Sequence, residues 1–162
     1  MNLTESAAPW LAALFAALLV LAALEDMWRL KISNWICAAI IVAAFVAVIL
    51  AGPVAQLWQN VAVFAALLAI GTPLFANGVM GGGDVKLLAA TGLWFDLAGA
   101  GWMIVAVALA GGAVTIFVLI LRMIKWSQAA RDRIAVIRPR GGIPYGVAIA
   151  VGALATLVMG RA

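Results

Sequence analysis

Long apolar runs separated by short polar breaks decide what this chain can fold into. Stretches at roughly 7–24, 35–51, 57–76, 102–121 and 143–160 are each long enough, at about 1.5 Å of rise per residue, to cross or nearly cross a hydrocarbon core of about 30 Å. A shorter stretch at roughly 84–98 is followed by Gly99 and Gly101, so it ends within the headgroups or breaks before the next helix. With 68% hydrophobic and 10% charged residues and a mean hydropathy of +1.22, the 162 residues lie far outside the soluble globular range. The expected fold is all-α: a polytopic integral membrane bundle of about six transmembrane helices, forming a single domain over 1–162. The first run is flanked by Glu5 rather than Lys or Arg, unlike a cleavable signal peptide, and is kept as a helix of the mature protein.

Charge sets the orientation. Arg29 and Lys31 lie in the first loop, Lys86 at the third, and Arg122, Lys125, Arg131, Arg133, Arg138 and Arg140 in the fifth, all on one side of a six-span bundle. The other side has Arg161 with Glu5 and Asp96. The positive-inside rule then places loops one, three and five in the cytoplasm and both termini outside. If the short fourth segment did not cross, the basic fifth loop would fall opposite the first, so charge argues that it crosses.

Histidine is absent, which excludes Ser-His-Asp and Cys-His catalysis and the HExxH zinc proteases. The single cysteine, Cys37, has no partner for a disulfide or a metal knuckle and reads as core. What remains are carboxylates. An acid at membrane depth costs roughly 2.5–3.5 kcal/mol even on insertion scales, which makes it a functional candidate by default. Asp84, in Gly81-Gly82-Gly83-Asp84-Val85-Lys86, is one such acid, and Asp26, beside Glu25 at the end of an apolar span, is the other.

Two carboxylates facing each other at a membrane boundary suit peptide hydrolysis. One, ionised, takes a proton from water, while the other, protonated, polarises the scissile carbonyl. Unit charges about 4 Å apart at an effective dielectric of about 20 repel by roughly 4 kcal/mol, enough for the pair to hold one proton between them. Asp26 and Asp84 would titrate as a coupled dyad, so neither is assigned acid or base. The chemistry requires no cofactor, and the chain offers no set of metal ligands. The glycines before Asp84 allow a sharp turn with φ > 0 and room for a substrate strand, and Asp84 can cap a helix beginning at Val85. A glycine turn with an N-cap is the plain structural reading of the same residues. A nucleotide-binding loop lacks its GxxxxGK[ST] spacing.

The string GGGDVKLLAATGLW resembles the GxGD motif of the type IV prepilin peptidases, and Asp26-Met-Trp-Arg-Leu-Lys-Ile-Ser-Asn resembles that family's first motif, an aspartate followed by Ile-Pro-Asn. A third patch, Gly142-Ile143-Pro144-Tyr145-Gly146, is similar to the Pro-Tyr-Gly segment opening the family's final helix, so the resemblance runs from about residue 10 to 157. Ser33 stands where the family usually has proline, and Val147 where a second proline often follows the glycine. The resemblance implies that Asp26 and Asp84 are the two catalytic aspartates of an aspartic endopeptidase. Its activity would be removal of the short basic leader from type IV or Flp pilin-like precursors, after a glycine, at the cytoplasmic face of the bacterial inner membrane. The larger members' cytoplasmic segment with paired cysteines, which accompanies N-methylation of the mature pilin, has no counterpart here. The chain is therefore most similar to compact peptidases of tight-adherence (Flp-type) pilus systems, without ground for N-methyltransferase activity. Expected partners are pilin-like precursors and membrane lipids, not nucleic acid.

Supporting roles are expected of Gly81, Gly82, Gly83, Lys86, Asn34, Pro144 and Tyr145. Each also has a plainer reading: Lys86 as a lipid-phosphate anchor, Asn34 as a helix cap, Tyr145 as an interfacial ring. Glu25 and Asp26 differ by about 100° in direction on a helix, so at most one faces the dyad, and Asp26 is preferred. The basic fifth loop suits anionic lipid or docking of precursors, and Asp96 and Asp132 read as ordinary loop acids. Three other readings have less in the sequence behind them. A lipoprotein signal peptidase lacks its Asn-rich motifs here, a serine-lysine dyad at Lys31 and Ser33 has no supporting element, and a non-enzymatic ion or proton pathway subunit of a transporter would use the same two acids as a relay.

Overall fold

The computed structural model describes residues 2–52, 56–124, 126–128, 135–137 and 141–161. The apolar runs become helices whose ends the local sequence marks. A short α1 (Leu3–Ser6) is capped by Asn2, whose side chain accepts from Thr4 N–H. Pro9 at the first position opens α2 (Pro9–Arg29), where its missing N–H costs nothing. Next come α3 (Asn34–Ala51), ended by Gly52, and α4 (Leu57–Ala76), after which Gly78 takes a positive φ of 70°. Then follow α5 (Gly82–Gly92), α6 (Leu97–Met123), one 3-10 turn (Ala135–Ile137) and α7 (Tyr145–Arg161). Asp96 is the N-cap of α6, its Oδ1 accepting from Gly99 N–H at 2.9 Å, rather than an idle loop acid.

The protein is thus all-helical among its described residues, as expected, but rather than about six spans, four of the described helices, α2, α3, α4 and α6, are long and apolar enough to cross a membrane; α7 is a shorter apolar helix. At 11 residues α5 is about 16 Å long, half a hydrocarbon core. The chain breaks at Leu93–Asp96 because that break is satisfied from within. Asn60 Nδ2 on α4 donates to the Leu93 and Phe95 carbonyls at 2.9 and 3.2 Å, and Leu3 N–H donates to the Trp94 carbonyl at 3.0 Å. Buried carbonyls left unpaired would be costly, so these donors make a short helix possible. Trp94 turns inward, stacks on Phe15 with ring centres 4.3 Å apart and donates its indole N–H to Ile40 O. The N-terminal turn α1 lies over this short end, with Leu3 and Thr4 buried.

In a bilayer, helix association depends on close packing of small residues rather than on the hydrophobic effect. The most extensive helix contact, α6 with α7, shows this at Gly152: a Cβ there would lie 2.5 Å from the Val107 backbone nitrogen. Gly152→Val is therefore expected to lower the thermal stability of the solubilised protein, by about 1–3 kcal/mol in the manner of an overpacked core. A melting temperature equal to the parent's would contradict the tight crossing.

Residues 30–33, the start of α5, the end of α6 and residues 141–145 gather at one end of the bundle. Gly83 and Gly146 both abut Ile32, Gly142 approaches Leu30, and the Arg122 guanidinium reaches the Gly141 and Gly142 carbonyls. Leu3, Gln59, Asp96 and Gly160 mark the other end. The loops alternate as the charge pattern requires, with Arg29, Lys31, Lys86 and Arg122 at the first end. Lys125, Arg131, Asp132, Arg133, Arg138 and Arg140 lie outside the described residues.

Candidate active site

Asp26 occupies the last turn of α2 and is 3% exposed. The helix stops because Leu30 adopts a left-handed conformation (φ 51°), its N–H closing on Asp26 O at 2.8 Å. The Asp26 side chain meets the beginning of α7, where Oδ2 accepts from Gly146 N–H at 2.7 Å and the Val147 amide also faces it. The first amides of a helix have no partner within it, and an acid supplied by another helix is a favourable acceptor for them. Contact this close requires glycine: a Cβ on Gly146 would stand 2.8 Å from Asp26 Oδ2 and 2.7 Å from Ile32 Cδ1.

Asp84 is also buried, at 9% exposure. The expectation that it caps a helix starting at Val85 is corrected, since α5 begins at Gly82, Gly81 is the N-cap and Asp84 is the third helical residue. Its carboxylate folds back to the Gly81 amide, as the acid of a capping box does. The expected positive φ does not fall on the triple glycine either; it falls on Gly78. What the three glycines provide is proximity. A Cβ would lie 2.6 Å from Asp84 Oδ2 at Gly81, 3.1 Å from the Phe75 ring at Gly82, and 3.2 Å from Ile32 Cβ at Gly83.

Both acids come near one amide. The Gly146 N–H bonds Asp26 Oδ2, and the Asp84 carboxylate lies near enough to feel both that amide and the charge of Asp26. Three chain segments far apart in sequence, at the end of α2 and the starts of α5 and α7, thereby converge on one polar point in an apolar bundle.

The remaining candidates sort themselves around that point. Glu25 is turned to the first loop, its Oε2 accepting from Ser33 N–H at 2.8 Å. Lys86 and Asn34 are brought to each other rather than to the acids, Nζ donating to Oδ1 at 3.0 Å. Asn34 is the first residue of α3 rather than its cap, which is Ser33. Pro144 is buried just before α7 and Tyr145 is half-buried on its first turn. Cys37 is buried in the core as expected. Gly146, part of the Pro-Tyr-Gly patch, is a contact of Asp26 that the motif alone does not single out. Its signal was a glycine at the second position of a helix, where nothing local calls for one.

Arg122, in the last turn of α6, is more than one of several loop cations. It donates from Nε to Val136 O at 2.9 Å and from an Nη to Gly141 O and Gly142 O at 2.8 Å, gathering the chain that leads into Pro144 and Gly146. Among the described residues no group of three His, Cys, Asp or Glu is placed to hold a metal ion.

The model of the type IV leader peptidase family matches residues 13–123, a range that includes both acids and the triple glycine. Gly142–Gly146 lie beyond that range. Neither a curated protein nor a solved structure matches. A match over most of the chain, in a protein with four helices able to cross a membrane, leads to one assignment: this membrane protein belongs to the type IV leader peptidase family.

Proposed function

We propose that the chain removes the short basic leader from type IV or Flp pilin-like precursors, with Asp26 and Asp84 as its acid–base pair, at the cytoplasmic face of the bacterial inner membrane. The observation that carries this reading is the approach of two buried carboxylates, Asp26 held by the Gly146 amide and Asp84 within its electrostatic reach. One ionised carboxylate takes a proton from a water molecule as that water attacks the scissile carbonyl. The other, protonated, hydrogen-bonds the carbonyl oxygen and stabilises the tetrahedral intermediate. Transfer of a proton to the departing amide nitrogen then releases the leader and the mature chain. The Gly146 amide holds the Asp26 carboxylate in orientation, so that it need not be repositioned during the step.

Placement in the membrane supports the same reading. The acids lie at the end of the bundle that carries Arg29, Lys31, Lys86 and Arg122, the end the positive-inside rule assigns to the cytoplasm. A precursor whose helix stays in the bilayer would present its leader there, and water reaches the acids from the same side. The ion-pathway alternative has no comparable support, because the acids are capped by helix amides rather than strung along a polar route.

The test is leader cleavage of a co-expressed Flp-type pilin precursor in membranes, comparing the parent with the double variant Asp26→Asn/Asp84→Asn at matched expression. Cleavage by the parent alone is expected. A parent that cuts no precursor, or a double variant that still cuts, would end this reading. Arg122→Lys is expected to lower the cleavage rate about tenfold, because a lysine cannot span three carbonyls with a fixed fork and hydrogen bonds to a charged group are worth about 1.5–3 kcal/mol. A rate within twofold of the parent would show that the chain before α7 holds its position without the guanidinium.

A further inference from the structure

A shallow groove of about 460 Å³ runs along the outside of the bundle, where the last turns of α2 meet the first turn of α3. Its chemistry changes along its length. Leu21 and Leu24 of α2 and Ile36 of α3 line the part that lies deeper in the bundle. Glu25, Arg29 and Ser33 line the part at the basic end, with Trp28 beside them at 64% exposure. The α2 residues recur at intervals of three and four, so they share one helix face, and about 12 Å of rise separates Leu21 from Arg29. That face is turned to lipid, whereas Asp26, the next residue after Glu25, is turned into the bundle.

Glu25 and Arg29 stand four apart on α2, acid first, the spacing at which such a pair closes most readily. Here they do not close on each other. Glu25 Oε2 accepts from Ser33 N–H at 2.8 Å, while neither its Oε1 nor the Arg29 guanidinium has a partner among the described residues. The groove thus offers one carboxylate oxygen and one guanidinium, side by side, above an apolar floor.

We infer that this groove is a binding site for phosphatidylethanolamine from the leaflet at the basic end, with the phosphate on Arg29, the ammonium on Glu25 and an acyl chain along Leu21, Leu24 and Ile36. The inference does not depend on the peptidase reading. Charge complementarity selects the headgroup. A guanidinium matches a phosphate with paired donors, and an ammonium can donate to the open carboxylate oxygen. A headgroup with net negative charge would set that charge against Glu25, and a choline has no hydrogen to donate. The order of the walls selects a lipid over a peptide. A basic peptide such as a precursor leader would meet Arg29 and the exposed Lys31, and would leave the three apolar walls uncovered. Trp28 stands at headgroup depth, where an indole ring is favoured.

Two measurements on the full-length protein test this. In the first, the detergent-solubilised protein is titrated with phosphatidylethanolamine, phosphatidylcholine or phosphatidylglycerol of the same acyl chains, and native mass spectrometry reads the apparent Kd of the first lipid bound. Phosphatidylethanolamine is expected to bind about fivefold or more tighter than the other two, the scale of one exposed ion pair. Glu25→Gln should bring phosphatidylethanolamine and phosphatidylcholine to within about twofold of each other. Arg29→Gln should weaken all three, because the phosphate they share loses its partner. Ratios between lipids within one variant are independent of how much of it folds. Equal affinities in the parent, tightest binding of phosphatidylglycerol, or a preference that survives both substitutions would each overturn the inference.

In the second, phosphatidylethanolamine with a diazirine in its acyl chain is photolysed in membranes containing the parent protein. Adducts concentrated on Leu21, Leu24 or Ile36, and lost in Arg29→Gln, support the site. Adducts spread alike over the lipid-facing helices, or unchanged in Arg29→Gln, refute it. A Glu25→Gln protein that keeps its lipid preference while its KM for a pilin precursor rises about fivefold would give the groove to the basic leader and overturn the lipid assignment.

Discussion

Asp26→Asn and Asp84→Asn are each expected to slow leader cleavage by roughly 10³-fold, within the range that general acid–base groups contribute. The substitution is nearly isosteric, so the burial of both positions and the approach of Gly146 survive, and only the ability to exchange a proton is removed. Because the pair acts as a unit, the double variant should be little worse than either single one. Glu25→Gln is the informative comparison. Its carboxamide oxygen can still accept from Ser33 N–H, so the loop is kept and cleavage should stay within about twofold of the parent. Leader processing followed on denaturing gels, with enzyme levels matched, distinguishes these outcomes. Loss in Glu25→Gln with retention in Asp26→Asn would transfer the role to the neighbouring acid.

Gly146→Ala should have the next largest effect, about 10²-fold, the scale of a misplacement of about 1 Å at a catalytic group. The added methyl would stand 2.8 Å from Asp26 Oδ2 and 2.7 Å from Ile32 Cδ1, inside contact distance for both. Either α7 moves away, lengthening the amide bond to Asp26, or the carboxylate turns from Asp84. Gly111→Ala serves as the control, since its methyl would meet only Ala148 Cβ, at an ordinary 3.7 Å, on the same α6–α7 face. If both variants cut like the parent, the start of α7 does not position the acids. If both lose cleavage and yield alike, the effect belongs to helix packing rather than to the site.

The apolar runs and the charge alternation were legible without coordinates because they are properties of chemistry along a line. Long segments of the right composition must be helical in a bilayer, and basic loops must gather at one end. The boundaries of α3 and α4 follow the sequence reading closely, within a residue of 35–51 and matching 57–76. The reading erred at the fourth segment, whose hydrophobicity continues through Trp94 and Phe95 although its helix ends at Gly92. That end depends on donors from Asn60 and Leu3, which lie 33 and 91 positions away from the carbonyls at Leu93 and Trp94 they satisfy, and no periodicity signals them. The glycines preceding Asp84 do not supply the positive φ expected of them. A local reading offers backbone freedom as the reason, whereas the neighbours that require a missing side chain are Phe75 and Ile32, on other segments, together with Asp84's own folded-back carboxylate.

By itself, the sequence determined that this is a helical membrane protein, excluded histidine chemistry, and singled out Asp26 and Asp84 as candidate acids in an apolar chain. Only the tertiary structure decided how they are held: Asp26 at the amide of Gly146 and Asp84 folded back on the start of α5 within reach of it, with Glu25 turned to Ser33, Lys86 to Asn34, and Arg122 securing the segment that delivers α7. The physical reason is that composition and spacing act along the chain. Satisfaction of a buried carboxylate, and the absence of a Cβ where two helices touch, are set by partners the chain reaches only after it has folded.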